Sequence, residues 1–205
     1  MKRTKSSRQW LDRHVNDPFV QKAKREGWRS RAAFKLAEID DRDRLLAPGA
    51  VVVDLGAAPG GWTQLAVKRV GARGTVVAID LLPMEPVPGA TFLQADFASN
   101  EGLARLEEAL AGLAPDVVLS DMAPNLSGIA ISDQARAYAL AELARDFALE
   151  RLKPGGVFLV KVFQGSGQQE FHQSLKQAFA KVSVRKPAAS RGESAEQYLL
   201  AVKGA

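Results

Sequence analysis

The chain contains no cysteine among its 205 residues. That absence excludes disulfides, thiolate metal sites, iron–sulfur clusters and every mechanism built on a cysteine nucleophile. Histidine is nearly missing too: His14 and His172 are the two imidazoles, and their separation excludes a zincin-type helical pair, so no metal is expected. No apolar run approaches the roughly 18 residues of a spanning helix. The N-terminus, Met1-Lys2-Arg3-Thr4-Lys5, has no apolar h-region behind it. A cytoplasmic protein without membrane contact is expected.

What is present is a chain that is 46% hydrophobic, enough to bury one core at about 100 to 200 residues per domain. No linker divides it. The expected organisation is a basic, partly flexible extension over residues 1–25 and a single catalytic domain over 26–205. The formal charge is +5, but residues 1–35 alone carry Lys2, Arg3, Lys5, Arg8, Arg13, Lys22, Lys24, Arg25, Arg29, Arg31 and Lys35 against Asp12, Asp17 and Glu26, a net +8. Such a block suits a polyanion, because neutralising phosphates releases condensed counterions. A solvated tail is the competing reading.

From Gly49 onward, short apolar runs alternate with helical patterns, as in βαβ units on a parallel sheet. Strands are expected at 51–53, 75–79, 91–93, 116–119, 157–163, 182–185 and 197–202. Helices are expected at 62–70, 103–113, 134–152 and 168–179, the third with Leu140, Leu143, Phe147 and Leu149 near one face. Lys153-Pro154-Gly155-Gly156 is read as closing that helix. Ahead of the sheet, Ser30 is read as the N-cap of a helix reaching about Asp40.

In open parallel sheets, ligands bind beyond the carboxyl ends of the strands. The first strand runs into Asp54-Leu55-Gly56-Ala57-Ala58-Pro59-Gly60-Gly61-Trp62, where glycine lets the chain turn sharply and the backbone approach a ligand. Three acids follow at successive strand ends. Asp80 is placed to accept two ribose hydroxyls, Asp96 to hold an exocyclic adenine amine, and Asp121 to lie beside a cofactor ammonium. These carboxylates would repel a dinucleotide pyrophosphate and attract a sulfonium and an ammonium, so S-adenosylmethionine is favoured over NAD.

Lys161 stands inside the apolar run Val157-Phe158-Leu159-Val160-Lys161-Val162-Phe163. Lysine is almost never buried without a partner, so it is a candidate for chemistry. Glu196 opens the final strand; if that strand is antiparallel, its start lies at the same sheet edge as Asp121 and Lys161. Glu193, three residues earlier, competes for that position. Lys35, on the N-terminal helix, reads by itself as a solvated charge.

Arg29-Ser30-Arg31-Ala32-Ala33-Phe34-Lys35-Leu36, Asp54 through Trp62, Asp80-Leu81-Leu82-Pro83-Met84, Ser120-Asp121-Met122-Ala123-Pro124-Asn125, Val160-Lys161-Val162-Phe163-Gln164-Gly165, Arg185-Lys186-Pro187 and Glu196-Gln197-Tyr198 together resemble the FtsJ (RrmJ, RlmE) family of ribosomal RNA 2′-O-methyltransferases. The resemblance runs from about residue 25 to 202. It implies a Rossmann-like S-adenosylmethionine-dependent methyltransferase fold: a seven-stranded, mostly parallel α/β sheet with one antiparallel strand and helices on both faces. It also implies a catalytic tetrad on Lys35, Asp121, Lys161 and Glu196. Cofactor contacts are expected from Gly56, Pro59, Gly60, Gly61, Trp62, Asp80, Asp96 and Asp121.

The implied reaction is methylation of a uridine ribose in large-subunit ribosomal RNA, on an assembled or nearly assembled subunit, by a monomer. RNA contacts are expected from Arg29, Arg31 and Lys35 towards Arg185, Lys186 and Arg191. A lysine acting as base near neutrality would need its pKa lowered by about 3 units from 10.4. Cytosine C5 chemistry requires a cysteine, and the post-strand-four segment Asp121-Met122-Ala123-Pro124 lacks the aromatic that base N-methylation commonly uses. Another RNA such as tRNA, a non-catalytic assembly factor on the same fold, and an NAD-dependent oxidoreductase are the alternatives.

Overall fold

The computed structural model describes residues 17–124, 127–190 and 195–205. Val51–Leu55 (β1) lies in the middle of the sheet, and all five residues are buried. This is why Val51-Val52-Val53 reads as a continuous apolar run rather than an alternation: helices cover both faces. Thr75–Asp80 (β2) and Val117–Ser120 (β4) flank it in parallel, Thr91–Gln94 (β3) pairs outside β2, and Val157–Phe163 (β5) pairs outside β4. Glu196–Val202 (β7) then runs antiparallel to both β5 and Lys181–Arg185 (β6). The order is β3-β2-β1-β4-β5-β7-β6 across seven strands. One strand, β7, opposes the rest.

The core divides by face. Val53, Leu55, Val77, Ile79 and Phe158 pack against Asn100–Leu110 (α4), Ala130–Arg151 (α5) and Gln168–Ala178 (α6). Val52, Val76, Leu119, Leu159 and Tyr198 pack on the other side against Ala32–Asp43 (α2) and Gly61–Val70 (α3). The two sets alternate along each strand, as the period-two geometry of β-structure requires. No described helix is long and apolar enough to cross a membrane.

Several local expectations are corrected. Pro18–Arg25 (α1) is helical, within the stretch read as an extension: Asp17 Oδ1 accepts the Phe19 N–H at 3.0 Å and Pro18 opens the first turn. Ser30 is not a cap, since Arg31 holds that position without a side-chain hydrogen bond. Ser30 instead fills the space over Gly61, where an added Cβ would lie 2.3 Å from its Oγ. Helix α4 starts three residues before the expected Leu103, capped by Ser99 Oγ accepting from Gly102 N at 3.0 Å, and it ends at Leu110. Helix α5 starts at Ala130 and buries Tyr138, Ala141, Ala144, Phe147 and Ala148, whereas Leu143 is exposed. Its end is an extended Leu152 rather than a left-handed glycine, and Gly155 (φ 75) serves the turn into β5.

Candidate active site

The order of strands reverses between β1 and β4, and the carboxyl ends of both open on one cleft. A cavity of about 340 Å³ there is lined by Gly56, Ala58, Asp80, Asp96, Asp121 and Met122 among others. A smaller one of about 150 Å³ adjoins it and is lined by Ser30, Arg31, Gly56, Pro59, Gly61, Trp62 and Asp121. Gly56 (φ +78) cannot carry a side chain: a Cβ would lie 2.6 Å from Met122 Cγ and 3.0 Å from its Cα. Gly60 also has a positive φ (+104), and its Cβ position would meet the flexible ends of Met84 (Sδ at 2.8 Å) and Arg29 (Nη1 at 2.9 Å).

The acids at the strand ends brace the turn. Asp80 Oδ2 accepts the Ala58 N–H and Oδ1 the Leu82 N–H, each at 2.8 Å. Asp96 Oδ1 accepts the Ala98 N–H at 2.9 Å. Each carboxylate oxygen keeps a further lone pair for a ligand. Trp62 is buried at 3% exposure and donates from its indole to Ala32 O at 2.8 Å, pinning α2 to α3.

Beside the smaller cavity lie the four charged residues. Lys161, on β5, donates to the Asp121 backbone oxygen at 2.6 Å and lies 3.1 Å from its Oδ1. Lys35 donates to Glu196 Oε1 at 2.5 Å, with both side chains almost wholly enclosed. Lys35 is therefore buried against Glu196, not the solvated charge that its helix suggests. The antiparallel register that pairs Glu196 with Phe163 brings Glu196 to the edge where β5 ends. Burial pushes the Glu196 carboxyl up, but Lys35, Lys161 and the Ser190 hydroxyl outweigh it and leave the pKa below its ordinary value.

Three further residues have no role assigned from the sequence: Tyr198 and Asp54 fall inside the motifs Glu196-Gln197-Tyr198 and Asp54 through Trp62, and Ser190 falls in none. Tyr198 is fully buried, with its hydroxyl 3.2 Å from Asp121 Oδ1 and 3.4 Å from Glu196 Oε1. Burial and those two carboxylates push its pKa well above the usual value, so it is a donor at every working pH. The strand period signals it, two residues from Glu196 on the same face. Ser190 Oγ donates to Glu196 Oε1 at 3.0 Å from a segment that no local pattern marks. Asp54 is wholly buried in β1 and accepts from Thr63 Oγ1 at 2.7 Å. Its signal is that of Lys161, a charge inside an apolar strand.

The arginines expected to meet RNA are held within the protein. Arg29 donates to Glu85 O at 2.5 Å and Pro86 O at 2.7 Å, Arg31 reaches Asp17 and Ala189 O, and Arg185 grips Asp43 with two bonds at 2.6 and 2.7 Å. Together they tie α2 and the residues before it to the loop after β2 and to the segment around and after β6. Lys186 is exposed, and Arg191, Glu193 and Asn125 lie outside the described residues. Among the described residues no three His, Asp or Glu side chains gather to hold a metal ion.

This sheet order, with its ligand turn after β1 and its antiparallel β7, defines a Rossmann-like methyltransferase. Residues 28–204 match the FtsJ-like methyltransferase family. The "Ribosomal RNA large subunit methyltransferase E" of Azoarcus sp. (strain BH72) is 62% identical over 98% of both chains, and that of Thiobacillus denitrificans is 57% identical over 97% of this chain and 90% of its own. A solved Plasmodium falciparum structure, assigned as a ribosomal RNA methyltransferase, superposes with a TM-score of 0.75 at 29% identity, covering 86% of this chain and 98% of that one. The chain belongs to the FtsJ-like methyltransferase family, and the oxidoreductase alternative falls with that finding.

Proposed function

We propose that this chain transfers a methyl group from S-adenosylmethionine to the 2′-hydroxyl of a uridine ribose in large-subunit ribosomal RNA, within an assembled or nearly assembled subunit. The observation that carries the reading is the pair of lysine–carboxylate contacts, Lys161–Asp121 and Lys35–Glu196, beside the glycine turn. The relatives named as large-subunit methyltransferases support the substrate.

The cleft fits the cofactor. Its rim presents Asp80, Asp96 and Asp121, which suit ribose hydroxyls, an adenine amine and an ammonium, and Gly56 lines the same cavity without a side chain to fill it. Pro59, Gly60, Gly61 and Trp62 complete the turn that would carry it. When bound, S-adenosylmethionine supplies a methyl carbon made electrophilic by its cationic sulfur.

The chain's own residues align the oxygen and manage its proton. Lys161 Nζ donates to the Asp121 backbone oxygen and lies within ion-pair distance of its Oδ1, so two of its hydrogens can serve Asp121. As an ammonium it has one hydrogen left to hold the ribose 2′-oxygen. As a neutral amine the same position is a lone pair, which accepts the hydroxyl proton as the new carbon–oxygen bond forms and the carbon–sulfur bond breaks. Asp121 orients Lys161; Glu196, held by Ser190 and Tyr198, orients Lys35. Alignment of this kind supplies on the order of 7 to 11 kcal/mol in the best cases.

Two measurements test the reading. Large subunits lacking the modification, incubated with the chain and S-adenosylmethionine, should gain ribose methylation at a uridine; methyl groups mapped only to bases would sink it. Lys161→Ala should slow transfer by about 100-fold or more while S-adenosylhomocysteine still binds in calorimetry. A near-wild-type rate removes Lys161 from the chemistry.

A further inference from the structure

Lys35 faces the charged cluster, but Phe34 and Ala37, on another face of α2, line a separate cavity of about 310 Å³ against Leu65 and Lys68 of α3, closed off by Glu26 and Trp28. Both of its aromatic rings carry a lysine. Lys68 Nζ lies 5.5 Å from the Trp28 ring centroid, and Lys22 Nζ lies 4.6 Å from that of Phe34.

Trp28 is held in place before any ligand arrives. Its backbone N–H donates to Ala23 O at 2.9 Å and its indole N–H to Glu26 at 3.3 Å. Gln64 ties down both neighbours, donating to Gly27 O at 3.3 Å and accepting from Arg29 N at 2.9 Å. Glu26, the acid in the lining, is engaged by Trp28 and by Lys22 at 3.9 Å. Arg69 is paired with Asp40 and Asp41. The cations beside the two rings are therefore Lys22, in the last turn of α1, and Lys68.

A fixed indole beside exposed lysines is what an unpaired nucleotide requires: every base has a face to stack, and its phosphate needs a cation. We propose that this groove takes an unpaired base of the RNA strand flanking the target nucleotide, stacked on Trp28, with its phosphate on Lys68 and Lys22. An entering base displaces the Lys68 ammonium from the ring, and the flexible stem carries that charge to the phosphate. The identity of the strand rests on the RNA methyltransferase reading.

The test uses the full chain and a fluorescently labelled single-stranded oligouridylate, with S-adenosylhomocysteine calorimetry in parallel. Trp28→Leu, which keeps apolar bulk but removes the ring, should weaken oligonucleotide binding roughly tenfold, and Trp28→Phe should restore most of it. Lys68→Glu, at an exposed position, should weaken binding by about as much and flatten its salt dependence. S-adenosylhomocysteine affinity should be unchanged in all three. Wild-type oligonucleotide affinity in Trp28→Leu and Lys68→Glu overturns the proposal. So does a lower kcat/KM on intact subunits with unchanged oligonucleotide affinity, which would mark a protein occupant. Absence of methyl transfer by the wild-type chain sinks the substrate reading instead, so the two failures are separately visible.

Discussion

Asp54 shows how a single residue can set a pH dependence. It has no exposed surface, Thr63 satisfies Oδ2, and Oδ1 has no hydrogen-bond partner among the described residues. Burial pushes its pKa up to about 7; the Thr63 hydroxyl pulls it down, while Asp121 and Asp80 add to the rise. Because the folded pKa lies above the unfolded value of 3.8, this group's contribution to stability is complete below the unfolded pKa and is lost as pH rises through about 7. Asparagine keeps the shape and cannot ionise. The stability of Asp54→Asn relative to wild type should therefore improve as pH rises from about 4 towards neutrality, by up to about 4 kcal/mol, and then level off. Denaturant melts at a series of pH values measure this, and a difference independent of pH would show that the native carboxyl does not titrate in that range.

At the scale of elements, the turn after β1 is shaped by the approach of Met122. A Cβ on Gly56 meets that residue's backbone, which a side-chain rotation cannot relieve, and φ +78 adds strain. Gly56→Ala should lower stability by about 1 to 3 kcal/mol and S-adenosylhomocysteine affinity by about tenfold or more. Gly112→Ala is the control: its φ is +80 but nothing lies within 4 Å of its Cβ position, so it should lose stability alone. Equal affinity loss in both would detach the turn from the ligand. The seven strands and the turn were legible because apolar runs and glycine spacing are local signals, and the acids at β2, β3 and β4 were legible as strand ends. Helix starts were less so. The helix expected from Leu103 includes Gly102, which packs in the first turn of α4, where a Cβ would lie 2.0 Å from Asp96 O. The exposed Leu143 and the buried alanines of α5 reverse what hydrophobicity alone suggests. Lys35 was illegible as a site residue without the family resemblance, because its partner Glu196 is 161 positions away and only the β5–β7 register delivers it.

Across the whole molecule the charge is lopsided. Residues 1–35 carry net +8 within a total of +5, so the rest of the chain is net acidic. Arg29 and Arg31 spend their guanidinium groups on Glu85, Pro86, Asp17 and Ala189, which leaves α1 and the residues before it as the main source of phosphate-seeking charge. The place to cut is therefore set by packing. Removing residues 2–25 would also remove Asp17, the Arg31 partner, and Phe19, whose ring lies 5.8 Å from that of Phe34. Removing residues 2–16 spares both. That shorter deletion should weaken RNA binding, and the slope of log K against log salt should fall by about 0.7 for each single-strand phosphate that is no longer neutralised. The five cations deleted, Lys2, Arg3, Lys5, Arg8 and Arg13, set the ceiling on that change. A slope equal to that of the full chain would mean that these residues neutralise no phosphate, and the polyanion reading would then rest on residues 17–205 alone.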